Sequence, residues 1–116
     1  MNEIENARIT KADLSMADHG CFTLALTLEG SGWCVVFGGY AIGTGYLGAK
    51  KFEGSPKGIE EIMRIMDVVG VEKFSQLEGK YVRVDVSDGW GATITKIGNI
   101  IEDKWFNYKE FYKKEK

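Results

Sequence analysis

The sequence has few of the residue types on which catalysis and metal binding usually depend. Its 116 residues contain one proline, one histidine and two cysteines, Cys21 and Cys34. Structural zinc sites take four thiolate or imidazole ligands, commonly from Cys-x-x-Cys pairs, and three such residues are too few. The stretch Asp18-His19-Gly20 is typical of a turn, so we interpret His19 as a turn residue, with a His19–Cys34 pair as the catalytic alternative. We therefore expect no metal, no cofactor and no enzymatic activity.

The sequence also lacks a basic excess and a long apolar run. Fifteen Lys and Arg against 17 Asp and Glu give a formal net charge of −2. Proteins that coat long nucleic acids carry a clear basic excess, so we expect no such partner, whereas a local pocket for a small anion is compatible with this balance. No apolar run approaches the roughly 18 residues of a membrane span, and the first residues do not resemble a secretory signal. These features predict a soluble intracellular protein with reduced thiols.

The apolar pattern predicts an α+β fold: an antiparallel sheet of about five strands with one main helix packed on it, in a single compact domain of residues 1–116. Strands are expected near residues 6–12, 21–28, 33–37, 81–87 and 92–101. The stretch 38–58 contains seven glycines and is expected to be a long irregular loop. Gly98, inside the last strand, predicts a bulge or a close approach of another group to the backbone.

The expected helix has clear signals at both ends. Ser55 is suited to the N-cap, Pro56 to the first helical position and Gly70 to the C-terminal end. The inward stripe is expected to consist of the apolar residues at helical spacing, which are Ile59, Ile62, Met63, Met66 and Val69.

Two stretches are candidates for ligand binding. Residues 43–48 match G-x-G-x-x-G, but no strand–helix unit surrounds them, so a flexible loop or an anion-binding nest of backbone amides is favoured over a dinucleotide site. Residues 99–106 combine an amide, a lysine and two large aromatic rings, which suits a purine nucleotide, although the rings are equally suited to capping the core or contacting another subunit. Arg64 lies outside the apolar stripe and is available for a phosphate, or for an ion pair with Glu60.

Several groups of residues follow one another in an order that resembles a known family of small phage and prophage proteins. They are residues 7–10, 37–40, 62–66 with 69–73, 77–84 and 97–106. In this respect the chain is similar to the first-type Thoeris anti-defence family, the cyclic-nucleotide sponges. The resemblance extends over most of the chain.

The resemblance implies a phage counter-defence protein that acts in the host bacterial cytoplasm. Such a protein sequesters glycocyclic ADP-ribose signals made by bacterial TIR enzymes, and in some members cyclic trinucleotides, without cleaving them. The resemblance also implies assembly from dimers into a hexamer, with ligand pockets between subunits. Carried over by position, the ligand-binding residues are expected to be Phe37, Gly38, Gly39, Tyr40, Arg64, Asn99, Lys104, Trp105 and Phe106.

A second hypothesis belongs to a different functional class. Small size, mild acidity and a cluster of aromatic residues near the C-terminus are also compatible with an inhibitor that binds a host defence protein, of the anti-CRISPR or anti-restriction type. A retained nucleotide distinguishes the sponge from this inhibitor, which is expected to co-purify with a host protein.

Overall fold

The computed structural model of the chain describes residues 4–18, 20–45, 48–85, 94 and 96–111, and leaves the side chains of residues 17, 18, 39–41 and 109 undescribed. Within these ranges the chain forms a seven-stranded antiparallel sheet of order β4-β3-β2-β1-β5-β6-β7. The strands are β1 (Ile4–Asp18), β2 (Cys21–Gly30), β3 (Trp33–Thr44), β4 (Glu53–Gly54), β5 (Tyr81–Asp85), β6 (Lys96–Asn99) and β7 (Trp105–Asn107). The helices are α1 (Pro56–Val69) and the single turn α2 (Tyr108–Phe111), and a 3-10 turn spans Phe74–Leu77.

The predicted α+β class with a large antiparallel sheet is confirmed, but the predicted strand number is too low. The described sheet adds β4 and β7, which have two and three residues and are too short to show an alternating pattern in the sequence. The predicted loop 38–58 is wrong in its first part, because β3 continues to Thr44. Two irregularities hide this continuation: from Ala25 to Thr23 the partners run from Gly38 to Ala41, and from Thr23 to Phe22 they run from Ala41 to Gly43. At each of them β3 gains one residue, which interrupts its alternation.

The ends of α1 are where the sequence predicts them. The Ser55 Oγ accepts a hydrogen bond from the Gly58 amide at 3.1 Å, and Gly70 adopts the left-handed conformation with φ of 95°. The buried face, however, consists of Gly58, Glu61, Ile65 and Val68.

The predicted inward stripe of α1 is therefore wrong in part, because Ile59 and Met63 are exposed. The helix lies directly against β3 at Gly58, where an added Cβ would lie 2.4 Å from the Cβ of Ile42. This close contact directs the face that contains Gly58 to the sheet, and a hydrophobicity pattern gives glycine no weight in choosing that face.

The sheet curls, so that strands near opposite ends of its order meet in the core. The Phe37 ring of β3 lies 6.4 Å from Phe106 of β7 and 5.4 Å from Tyr108, measured between ring centroids. Helix α1 bridges the same two ends, since Gly58 contacts β3 and the Val68 carbonyl accepts a hydrogen bond from Asn99 of β6. The C-terminal half of α1 and the β6–β7 turn thereby become neighbours.

Candidate functional site

An open cleft of about 840 Å³ lies between the C-terminal half of α1 and strand β7. Its volume falls within the roughly 300–1,000 Å³ typical of small-molecule sites. The lining residues come from α1, β7, α2, the β6–β7 turn and the adjoining ends of β1, β5 and β6: Ile4, Arg64, Asp67, Val68, Asp85, Lys96, Lys104, Trp105, Phe106, Asn107, Glu110 and Phe111. Charged, amide and aromatic side chains thus share one concave surface.

The cleft carries three basic and three acidic side chains, so its formal charge is balanced. Each basic group lies near a carboxylate. Arg64 Nε donates to Glu60 Oε2 at 2.7 Å, and Lys96 Nζ lies 3.4 Å from Asp85 Oδ2. The Arg64–Glu60 pair at i,i+4 is the interaction that the sequence offered as the alternative to a phosphate. A bound anion must therefore replace, or be added to, existing carboxylate partners.

Lys104 connects the β6–β7 turn to α1. Its Nζ lies 3.3 Å from the Asp67 carbonyl oxygen and 3.6 Å from Asp67 Oδ1, and 3.8 Å from Glu102 Oε1. The Asp67 and Lys104 side chains are both substantially exposed, at 75% and 41%. Because solvent screens such pairs, each is worth about 0–1 kcal/mol, and the lysine can exchange a carboxylate for a phosphate at little cost.

Aromatic rings accompany these cations. The guanidinium of Arg64 lies 5.8 Å from the centroid of the Phe111 ring, and Lys57 Nζ lies 4.2 Å from the same centroid. Phe111 also contacts Phe106, with 5.2 Å between ring centroids, so the cleft wall continues into the aromatic core. The half-buried Phe111 therefore presents an apolar surface beside two positive charges.

Trp105 is held by contacts on its own sheet. An added Cβ on Gly98 would lie 2.6 Å from the indole ring, so the ring packs directly over the Gly98 backbone. This confirms the close approach that Gly98 predicted. The Arg83 guanidinium lies 5.1 Å from the ring centroid, and the indole N–H donates to Asp103 Oδ1 at 3.1 Å. The half-buried ring thus has a defined position on the cleft wall.

The structure brings together some of the sequence-predicted ligand residues and separates others. Four of them border the cleft, namely Arg64, Lys104, Trp105 and Phe106. Phe106 is only 3% exposed and belongs mainly to the aromatic core, as the capping alternative proposed. Asn99 adjoins the cleft and is occupied by hydrogen bonds to the backbone.

The predicted residues 37–40 lie on β3, outside the lining of the cleft. Phe37 is completely buried in the core. Gly38 lies at the first irregularity of β3 with φ of 102°, where an added Cβ would lie 2.7 Å from the Leu24 carbonyl oxygen. Gly39 and Tyr40 continue β3, and the prediction for the Tyr40 side chain lies outside the described part of the chain.

Sequence reasoning missed several residues of the cleft. Asp67 is not among the predicted residues, although its position three residues after Arg64 places both on one side of the helix. Asp85 ends β5 and Lys96 begins β6, and only the pairing of their side chains in space shows that they belong to the site. Phe111 lies in the C-terminal segment, where no pattern indicated its direction.

Searches restricted to the described residues add two findings. No three His, Cys, Asp or Glu side chains among them gather as a group able to hold a metal ion. No helix in the same ranges is long and apolar enough to cross a membrane.

Comparisons with the models of known protein families, with curated proteins and with solved structures yield no match to this chain. The chemistry of the cleft is therefore the observation that bears most directly on function.

Proposed function

We propose that the protein is a phage counter-defence sponge, which binds a cyclic ADP-ribose-type immune signal in the host bacterial cytoplasm and holds it without cleavage. The observation that supports this most is the cleft, which combines exchangeable cations with aromatic rings in a volume suited to a nucleotide. The resemblance of the ordered sequence groups to the first-type Thoeris anti-defence family agrees with the proposal. Cyclic trinucleotides are a second ligand class to be tested at the same protein.

The two phosphates of such a ligand are expected to bind to Arg64 and Lys104. Both cations lie on the cleft and are partnered by exposed carboxylates. An exposed ion pair contributes about 0–1 kcal/mol, whereas a hydrogen bond to a charged group contributes about 1.5–3 kcal/mol. Exchange of carboxylate for phosphate therefore favours the complex, provided that the site excludes part of the solvent when the ligand is bound.

The adenine of the ligand is expected to stack on an aromatic ring of the cleft. Trp105 and Phe111 are both half-buried and both line it. Stacking of a base on an aromatic side chain is worth about 1–3 kcal/mol. Two phosphate contacts and one stacked base together supply recognition of such a ligand.

Release of an intact ligand tests the central claim of the proposal. The purified protein is incubated with glycocyclic ADP-ribose, separated from free ligand and boiled, and the supernatant is analysed by mass spectrometry. We expect the cyclic molecule to be recovered unchanged in an amount that matches the ligand removed from solution. A linear or hydrolysed product, absent from a protein-free control, would show that the protein degrades the ligand and would contradict the sponge proposal.

Self-association from dimers to a hexamer is part of the same proposal. The apolar side chains of Ile59 and Met63, 57% and 61% exposed on α1, offer a surface that a second subunit would cover. Native mass spectrometry of protein taken from cells that make TIR signals measures the assembly mass and the retained ligand together. A monomer that carries no nucleotide would contradict both parts.

One observation favours the inhibitor as a second candidate. Ile101 lies in the β6–β7 turn with 84% of its surface exposed, and the amide of the same residue donates to Asn99 Oδ1. An apolar side chain on an ordered turn is suited to insertion into a partner protein. Co-purification of one stoichiometric host protein, without nucleotide absorbance, would support this candidate, and its loss in Ile101→Ser would locate the contact.

Asp67→Asn is expected to strengthen binding of glycocyclic ADP-ribose by about two- to fivefold. The substitution removes the carboxylate that lies 3.6 Å from Lys104 Nζ, so the ligand phosphate no longer competes with it. The factor corresponds to an exposed ion pair of about 0.5–1 kcal/mol. Isothermal titration calorimetry gives the dissociation constants.

The matched control for that variant is Asp13→Asn. Asp13 forms an exposed pair with Lys11 in β1 and lies outside the cleft lining, so the same change of net charge is made elsewhere. Equal affinities of the Asp67→Asn variant and the wild type would show that the Asp67 carboxylate does not compete with the ligand for Lys104.

A further inference from the structure

Asn99 makes an unusual number of contacts for a residue at the border of the cleft. Its side-chain Nδ2 donates to the Val68 carbonyl of α1, and its Oδ1 accepts from the amides of Ile101 and Glu102, all at 2.8 Å. Its own amide donates to the Lys104 carbonyl at 2.9 Å. Asn99 therefore stabilises the β6–β7 turn internally and also connects this turn to α1 on the other side of the cleft.

Arg83 strengthens this arrangement from β5. Its Nε donates to the Asn99 carbonyl at 2.7 Å and its Nη2 to the Glu102 carbonyl at 2.8 Å, while its guanidinium lies 5.1 Å from the Trp105 ring. The planar guanidinium thereby holds the start and the middle of the turn while it contacts the Trp105 ring. The turn and Trp105 are thus fixed as a unit.

The connection to α1 is made at carbonyls that the helix itself leaves without intrahelical partners. The last four carbonyls of a helix need external donors. Asn99 Nδ2 supplies one to Val68, and Lys104 Nζ lies 3.3 Å from the neighbouring carbonyl oxygen of Asp67. The turn therefore caps the C-terminal end of α1 and joins the two sides of the cleft.

We infer that Asn99 is a positioning residue of the cleft, which determines ligand affinity by holding Lys104 and Trp105 at a fixed distance from Arg64 without contacting the ligand. This inference rests on the proposed function for its ligand, but its structural part is independent of it. When Lys104 and Trp105 are already held in place, they lose little conformational freedom on binding. Removal of the contact that holds them therefore weakens the complex.

Two substitutions separate the two roles of the Asn99 side chain. Asn99→Asp retains an oxygen to accept from the Ile101 and Glu102 amides, so the turn is kept, but it has no N–H for the Val68 carbonyl. Asn99→Ala removes all three side-chain hydrogen bonds. We expect Asn99→Asp to weaken binding of glycocyclic ADP-ribose about tenfold, and Asn99→Ala to weaken it further.

Gln76→Glu is the matched control. The Gln76 Oε1 accepts from the amides of Glu72 and Lys73 at 3.1 Å. The side chain thus makes a similar pair of hydrogen bonds to the backbone at an exposed site outside the cleft. The same exchange of amide for carboxylate there is expected to leave affinity unchanged.

A second measurement does not depend on the ligand. The indole N–H resonance of Trp105 is assigned by comparison with Trp105→Phe in ¹⁵N-labelled protein. It reports the position of Trp105 and the adjoining β6–β7 turn. We expect it to shift in ligand-free Asn99→Asp and to stay in place in Gln76→Glu, with a dispersed amide spectrum in both. If the wild type binds no glycocyclic ADP-ribose, the proposed function fails while this shift still tests the positioning role.

Two outcomes would overturn the inference. An unshifted Trp105 indole resonance in Asn99→Asp would show that the contact with Val68 does not set the position of the wall. If that resonance is unshifted and affinity nevertheless falls tenfold, Asn99 contacts the ligand itself. If Asn99→Asp shows a shifted resonance and wild-type affinity, the position of Trp105 and the β6–β7 turn does not determine binding.

Discussion

Phe37→Ala is expected to lower the free energy of unfolding by about 3–5 kcal/mol, the loss typical of a buried phenylalanine. The ring is completely buried, and it joins β3 to Phe106 of β7 and to Tyr108. Its removal leaves a cavity where side chains from the two ends of the curled sheet meet, so that both ends lose a packing partner. Urea unfolding followed by far-ultraviolet circular dichroism, at one protein concentration, measures the change.

Phe52→Ala is the matched control for this prediction. The Phe52 side chain is 60% exposed, so the same truncation there is expected to change the unfolding free energy by less than about 0.5 kcal/mol. A Phe37→Ala variant that unfolds like the wild type but fails to retain ligand would return Phe37 to the ligand site, as the family resemblance implies.

Arg64→Ala is expected to weaken binding of glycocyclic ADP-ribose roughly 10- to 150-fold, because it removes a charge-assisted hydrogen bond of about 1.5–3 kcal/mol to a phosphate. The Arg64 side chain is 60% exposed, and its partner Glu60 is 45% exposed. Loss of this screened pair is therefore expected to leave the unfolding free energy within about 0.5 kcal/mol of the wild type. Calorimetric titration measures affinity, and native mass spectrometry verifies that the assembly mass is unchanged.

Arg8→Ala provides the comparison for the loss of a positive charge. Arg8 is an exposed residue of β1 and does not line the cleft, so its removal changes the net charge equally without altering the site. If both arginine variants weaken binding to the same extent, the loss of affinity comes from weaker long-range attraction of the ligand phosphates by the protein's positive charge. Arg64 then does not contact the ligand. Wild-type affinity in Arg64→Ala would remove this residue from the site.

The sequence predicted a helix or strand well wherever the residues that form the structural feature also form the pattern that indicates it. Ser55 and Gly70 fixed the ends of α1, because an N-cap hydroxyl and a left-handed glycine act within one turn of the helix. The alternation in β2 predicts one face for Phe22, Leu24, Leu26 and Leu28. The three leucines are buried in the core, and Phe22 is half-buried beside them. The alternation failed in β3, where the two irregularities interrupt it.

The candidate site was predictable only in its contiguous part. Lys104 and Trp105 are close in sequence and combine a cation with a ring, which is a recognisable pattern. Asn99 was assigned to the ligand because amides are suited to nucleotides, but its hydrogen-bonding capacity is directed to the backbone. Asp67 and Phe111 join the site through packing between elements, which leaves no mark on the sequence around either residue.

The sequence by itself determined the class of fold, the limits of α1 and the alternating faces of the regular strands, since each of these follows from residues within a few positions of one another. Only the tertiary structure decided how far the sheet curls, which face of α1 is buried and which charges meet across the cleft. These features depend on the close fit of Gly58 against Ile42 and on the contact of Phe37 with Phe106. Both contacts join segments distant in sequence, where shape and volume, and not hydrophobic period, select the arrangement.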